Sequence, residues 1–494
     1  MKVERSTLGV ESSVSLASSA YASVAEYLYS LKSIGVRFGI DRMEHFVAEL
    51  GHPERSFPVI HIAGTNGKGS VSAMVESILR AAGCRTGLYT SPHLVKLGER
   101  VQVNRALLTE AEIVAYTHEL RPVAQRLSER GPDEHPTFFE FMTAMAFLQF
   151  QRRKVDVAVI ETGMGGRLDA TNVVQPDVAV ITSIGLDHLE FLGDNVAKIA
   201  REKAGIIKAG RPVVIGRLPA EAEQVIREVA RERHAPVHSV REVFGENLAD
   251  YPQTSLEGDY QRWNAATAVL VVRLLAGPVA GTQALPVGLN DDQADLSSRG
   301  VPRRGDPSEM LGGLPRPADR ARNDKAVGID DAAIARGLRQ VTWPGRWQRT
   351  EIGGRPLILD ASHNPEGAQV LENNLHKLVA ATGRKPIIIT GVLGEFRARA
   401  LLDVVCRYAK EVYLVPPHME RASTYEELEA VVPLESRVLL RRATLEQIFP
   451  DARTCTVGGK DDTIVVTGSI YLLGELLTRI EPARGSGEGR LQDF

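Results

Sequence analysis

The stretch VIHIAGTNGKGSVSAMVESILRAAG, residues 59–83, constrains this chain more than any other. An apolar run leads straight into a loop with three glycines, and a helical pattern follows until Gly83. A buried strand that feeds a helix through a tight loop is the unit from which parallel α/β sheets are built. Gly64, Gly67 and Gly69, with Thr65 and Asn66 between them, leave room for a turn whose backbone N–H groups point inward. The helix beginning near Ser70 adds its positive end, and Lys68 adds a point charge. The loop is therefore predicted to cradle phosphate. It departs from the usual G-x-x-x-x-G-K-[ST] spacing, because Gly69 follows Lys68 where a hydroxyl would hold magnesium.

Strand and helix patterns alternate through most of the rest. VDVAVIETG (155–163) and PDVAVITSIG (176–185) are apolar runs without strict alternation, as expected for strands buried on both faces. Residues 137–153 have helical length, and NVAKIAREKAGIIKAG (195–210) reads as a helix closed by Gly210. A second series of strands follows in GRPLILDASHNP, KPIIITGV, EVYLVPP and DTIVVTG. A chain of 494 residues exceeds what one core supports, so two domains are expected. The predicted division is a tail over 1–24, an α/β domain over 25–276, an insertion over 277–327 and a smaller α/β domain over 328–494. The insertion has no aromatic residue and is rich in Gly, Pro, Asp and Arg, so it is expected to be disordered.

The formal net charge of −3 offers no basic field for nucleic acid, and no apolar run is long enough for a bilayer. Cys84, Cys406 and Cys455 are far apart and odd in number, which argues against a zinc site or disulfide framework and suits the cytoplasm.

Magnesium takes oxygen ligands and keeps several waters and phosphates in its shell. Glu161 ends the run VDVAVIE, at the strand edge where a nucleotide-bound metal would lie. Ser91 in LYTSPHL follows another strand, although a plain Ser-Pro turn reads equally well from spacing. Asp187 and His188 sit at a further strand end. Arg167, Asp169, Thr171 and Asn172 occupy a glycine-rich loop beside Glu161, expected to contact substrate. In REKAGIIK, Lys203 reads from sequence as a surface lysine. In the second half, WPGRWQ carries Arg346, while Asp360 and His363 in LDASHNP suit a ribose or a reacting group.

Together, GTNGKGS, YTSPHL, ERVQVN, ETGMGGRLDATN, LDHLEFLG, EKAGIIK, WPGR, LDASHNP and VVTGS, in this order, resemble the folylpolyglutamate synthase/dihydrofolate synthase family of the Mur ligase superfamily. The resemblance spans about residues 25–480 and skips the insertion. It implies a P-loop-containing Mur-ligase-type domain with a mainly parallel sheet and a smaller C-terminal Rossmann-like glutamate-ligase domain. It also implies an ATP-dependent amide ligase that adds L-glutamate to dihydropteroate and reduced folates through an acyl phosphate. By resemblance, residues 64–70, Asn264, Arg346 and Asp360 bind ATP, and Ser91, Glu161 and His188 hold Mg²⁺. Lys68, Glu161, His188, Lys203 and His363 match the catalytic set, and Lys203 matches a lysine carbamylated in the family. A monomer without nucleic-acid or membrane partners is expected. Family members often carry an Asp-Lys-Asp element where this chain reads LGEFRARA (393–400). A monofunctional folylpolyglutamate synthase and another Mur-type amino-acid ligase remain as alternatives. A nucleotide kinase would not need the second α/β half.

Overall fold

The computed structural model describes residues 8–482 except Val36, Phe38, Pro132, Glu420 and 277–327, so the expected insertion lies outside the described residues. Eight strands form the first sheet: β1 (Val59–Ala63), β2 (Thr86–Tyr89), β3 (Val101–Val103), β4 (Ala106–Leu107), β5 (Val157–Glu161), β6 (Val178–Ile181), β7 (Val213–Ile215) and β8 (Val237–Ser239). Their order is β4-β3-β2-β5-β1-β6-β7-β8. The six strands from β2 to β8 in that order run parallel, and the β3–β4 hairpin adds antiparallel to β2. β1, β2, β5 and β6 are buried at every position, the pattern expected of strands covered on both faces.

Register places the site. Ile62 lies opposite Glu161, Ala63 opposite Ile181 and Tyr89 opposite Ile160. The carboxyl ends of four central strands therefore share one edge. The loops that leave it carry residues 64–67, Ser91, residues 162–169 and His188. Strand order reverses about β5 and β1, which opens a crevice at that edge.

The second sheet holds β9 (Gln348–Ile352), β10 (Arg355–Leu359), β11 (Ile387–Thr390), β12 (Glu411–Leu414), β13 (Leu440–Arg442) and β14 (Ile464–Thr467). Its order is β13-β12-β11-β14-β10-β9, parallel except for β9. Separate apolar clusters cover its two faces.

Three local expectations are corrected. The segment expected as a tail up to residue 24 is helical from Leu8, within the helix Leu8–Ser30, and Tyr21, Val24 and Leu28 pack into the first core. The helix Asp331–Gln340 belongs to the first domain rather than the second. Ile334 and Leu338 join the cluster around Ile78, and Ser77 Oγ donates to Gly337 O at 2.8 Å. The first core thus extends to Val341. The helix predicted to reach Gly210 spans only Val196–Ala204. At Gly205 the backbone lies so close to Arg167 that a Cβ would collide with it.

Candidate active site

The cradle predicted from the glycines is built as the helix Lys68–Ala81 leaves Gly67, whose φ of 83° is left-handed. Each glycine has a neighbour in place of a side chain. A Cβ on Gly64 would strike Thr182, one on Gly67 would lie 2.6 Å from Asn264 Oδ1, and one on Gly69 2.8 Å from Trp343 Nε1. The position that usually carries the metal-binding hydroxyl is therefore filled by the indole of Trp343. Ser70 is buried and accepts from Gln261 Nε2. Thr65 Oγ1 accepts from Gly185 N–H at 3.0 Å, and Asn66 N–H donates to Ser183 Oγ at 2.9 Å, pinning the loop to the end of β6.

Lys68 Nζ folds back to the carbonyls of Gly64 and Thr65, at 3.1 and 3.3 Å. Lys203, buried rather than exposed, reaches the same Gly64 carbonyl at 2.8 Å. Burial, together with the nearby Lys68 charge, pushes the Lys203 amine down to about 7. Glu161 is buried at the end of β5 and receives the Ser91 backbone N–H. Burial pushes its carboxyl up to about 7, against the pull of Lys68 and Arg346.

His188 has a left-handed φ of 50°, and its backbone N–H donates to Asp187 Oδ1 at 3.0 Å. Burial and nearby cations lower its imidazole to about 4 despite Asp187, so the ring stays neutral, the form that ligates metals. Burial disfavours the Asp187 carboxylate, yet His188, His363 and Arg397 together hold its pKa well below the usual range.

The second domain closes the site. Asp360 accepts Trp347 N–H and Ser362 N–H, both at 3.0 Å. Its two oxygens thus fix the WPGRW turn and the loop bearing His363. His363 Nδ1–H donates to Ala361 O at 2.8 Å, which leaves Nε2 as the basic nitrogen. Across the junction, Asn66 and Asn364 exchange side-chain hydrogen bonds at 3.1 and 3.2 Å, and Asn66 also donates to Glu366. Gly185 admits the Glu366 carboxylate; a Cβ there would overlap it.

One cavity of about 760 Å³ collects residues 65–70, Ser91, Glu161, His188, Arg346, Asp360 and His363. Lys203 lies beneath it and Asn264 against Gly67. The loop with Arg167, Asp169, Thr171 and Asn172 is not brought to this cavity. Asp169 accepts from Met164 N–H and from Thr171, Thr171 meets His61 Nε2 at 2.8 Å, Asn172 donates to Arg167 O, and Arg167 pairs with Glu202. Polar groups so engaged shape the loop.

Sequence reasoning missed Arg397, Asn364, Glu366 and Trp343. Arg397 lies in the segment LGEFRARA (393–400). Among the described residues no three His, Cys, Asp or Glu cluster to hold a metal unaided. The oxygen of Ser91, the carboxylate of Glu161 and neutral His188 nevertheless line one cavity, a donor set that suits a divalent ion completed by water and phosphate.

Residues 62–254 match the Mur ligase middle domain, and residues 345–470 match the glutamate ligase domain of Mur ligases. The folylpolyglutamate synthase of Lacticaseibacillus casei is 31% identical over 457 residues, covering 92% of this chain and 96% of that one. This chain belongs to the folylpolyglutamate synthase/dihydrofolate synthase family. The dihydrofolate synthase/folylpolyglutamate synthase of Bacillus subtilis is 29% identical, covering 94% and 99% of the two chains. A bifunctional folylpolyglutamate synthase/dihydrofolate synthase crystallised with Mn, AMPPNP and L-glutamate superposes with a TM-score of 0.69 at 29% identity, over 92% of this chain and 97% of that one. Family membership accounts for the two-domain cleft, since both matched segments contribute to it. Among the described residues no helix is long and apolar enough to cross a membrane.

Proposed function

We propose that this member of the family is an ATP-dependent ligase that joins L-glutamate to the carboxylate of dihydropteroate and of reduced folates. The observation that carries this reading is the single cleft in which the phosphate loop, Ser91, Glu161 and His188 face Arg346 and His363 of the other domain. The backbone of residues 64–70 and the Lys68 ammonium receive the ATP phosphates. Arg346 and Asn264 hold the nucleotide from either side of the loop. An Mg²⁺ ion bound by Ser91, Glu161 and His188 would neutralise crowded phosphate charge. A carboxylate oxygen of the acceptor attacks the γ-phosphorus of ATP, the bond to the β-phosphate breaks, ADP leaves, and an acyl phosphate forms. The glutamate amine then attacks that carbon, phosphate leaves, and an amide forms. His363 Nε2, facing the cleft from the second domain, is placed to take the proton that the amine sheds.

Lys203 is proposed to carry a carbamate. Its depressed basicity leaves neutral amine at neutral pH, which adds to CO₂, forming an N–C bond and releasing a proton. The anion so formed attracts the Lys68 ammonium. The two segments 25–276 and 328–494, with the first core extended to Val341, act as ATP-binding and glutamate-ligase halves. A cytoplasmic monomer suits substrates that are all small molecules.

The decisive assay follows phosphate release from ATP with glutamate and either dihydropteroate or tetrahydrofolate as acceptor. Release with both is expected. Release with neither rejects the reading, and release with tetrahydrofolate alone leaves a monofunctional folylpolyglutamate synthase. Lys68→Ala is expected to abolish release with either acceptor.

A further inference from the structure

A second cavity, of about 430 Å³, lies between the strand-end loops of the first domain and the turn Trp343–Arg346. It shares Ser91, Pro92, Glu161 and Arg346 with the main cleft, so the two chambers meet at the Glu161 carboxylate. Of the phosphate loop it touches only Gly69, and it includes neither His363 nor Arg397. Its outer wall carries Lys96, Gln102, Arg105 and Trp343.

We propose that this second chamber receives the γ-glutamyl arm of acceptors that already carry glutamate, with Lys96 and Arg105 taking its α-carboxylates. The proposal rests on the reading of the chain as a folate-type glutamate ligase. In that reaction the acceptor carboxylate meets the γ-phosphate beside Glu161, while ATP and the incoming glutamate occupy the main cleft. The remainder of the acceptor must leave that point by another route, and the second chamber opens there.

The chemistry of the wall fits an anion. Arg105 is held on three sides: Nη2 donates to Thr342 O at 3.0 Å, Nε lies 4.0 Å from Glu76, and the guanidinium lies 5.5 Å from the centre of a Trp343 ring. Its Nη1 is buried without a hydrogen-bond partner among the described residues. A buried guanidinium N–H with no acceptor is costly, and a small turn of the side chain toward a carboxylate in the chamber would satisfy it. Arg105 sits in the two-residue turn of the β3–β4 hairpin. Asn104 and Arg105 have φ of 50° and 67°, a left-handed pair that Asn tolerates and Arg rarely adopts. Asn104 Oδ1 accepts from Thr86 N–H at 2.8 Å, which fixes the turn. A two-residue connection between β3 and β4 favours left-handed backbone at both positions, so the hairpin itself sets where Arg105 starts. Glu99 does not cancel the positive wall outright, because its carboxylate accepts the backbone N–H groups of Leu94, Val95 and Lys96. Those bonds hold the segment that presents Lys96. Leu94 and Leu107 supply apolar surface for the methylene groups of the arm.

Dihydropteroate has a reacting carboxylate but no α-carboxylate, so the two cations discriminate between acceptors. The test compares KM and kcat of the wild type, Lys96→Ala and Lys96→Glu with dihydropteroate, tetrahydrofolate and its triglutamate. The KM ratio of the triglutamate to dihydropteroate is expected to rise about 10-fold in Lys96→Ala, the scale of one charge-assisted hydrogen bond, and further in Lys96→Glu. An equal rise for both acceptors, or an unchanged ratio, would overturn the proposal, as would a wild type that accepts dihydropteroate alone. A wild type inactive with every acceptor would instead reject the parent reading. An unchanged KM for ATP marks a variant as folded.

Discussion

Arg397 of the second domain donates to Asp187 of the first across 2.7 Å, next to His188. It does so from the first turn of the helix Glu395–Tyr408, in the segment LGEFRARA. The pair is largely buried, with side-chain exposures of 25% and 9%. A charged hydrogen bond of this kind contributes about 1.5–3 kcal/mol. Since it joins the domains at the reaction centre, Arg397→Ala is expected to lower kcat/KM by about 10-fold or more at a temperature where the variant is still folded, and to lower the thermal midpoint by a few degrees. Steady-state kinetics beside a thermal melt would decide; an unchanged kcat/KM removes the pair from the mechanism.

Gly69 tests the unusual phosphate loop. Restoring the customary hydroxyl by Gly69→Ser should not create a better metal site, because Trp343 Nε1 occupies the space where the new Cβ must go. The indole must shift, and with it Arg105 and the turn bearing Arg346. Turnover is expected to fall about 10-fold or more at saturating Mg²⁺ and ATP, the cost of displacing aligned groups. Equal or faster turnover in the variant would show that the indole yields freely.

Glu161 makes stability depend on pH. Its carboxyl is raised from 4.5 to about 7, chiefly by burial. The folded protein therefore binds this proton more tightly than the unfolded chain. The contribution is lost as pH rises from 4.5 to about 7, and the full cost persists above that. Glu161→Gln, free of ligand and metal, should be more stable than the parent by about 1–3 kcal/mol near pH ~8, with the difference shrinking toward pH ~4.5. Urea midpoints across this range provide the check. The same variant should lose turnover, so stability and activity move in opposite directions.

Lys203 should show its modification directly. With isotopically labelled bicarbonate, a carbamate carbonyl resonance is expected near neutral pH and should vanish in Lys203→Arg, whose side chain stays charged. Activity should fall when CO₂ is stripped from the buffer and return when bicarbonate is added. A wild-type spectrum without that resonance would leave Lys203 as a buried amine.

Much of the first domain was legible because its signals are local. The run VIHIAGTNGKGS encodes strand, loop and helix in adjacent residues, and Glu161 ends an apolar run that could only be a covered strand. Lys203 was not legible from pattern alone. REKAGIIK looks like an exposed face, and only packing of the short helix against Gly64 buries the amine. The helix Asp331–Gln340 was assigned to the wrong domain because sequence order places it after the insertion, whereas its apolar face fits Ile78. The polar residues of GGRLDATN drew attention as substrate contacts, yet they bond to one another and to His61. Nothing in the spacing separates a loop that binds a ligand from one that binds itself. Arg397 and Asn364 were missed for a related reason, since their partners lie on the other domain.

The reciprocal amide contact between Asn66 and Asn364 has a kinetic side. Neither group is charged, so water can take up each donor and acceptor as the halves swing apart. Resistance to opening therefore falls on the charged contacts beside it, Asn66 with Glu366 and Arg397 with Asp187, which must part before ADP can leave.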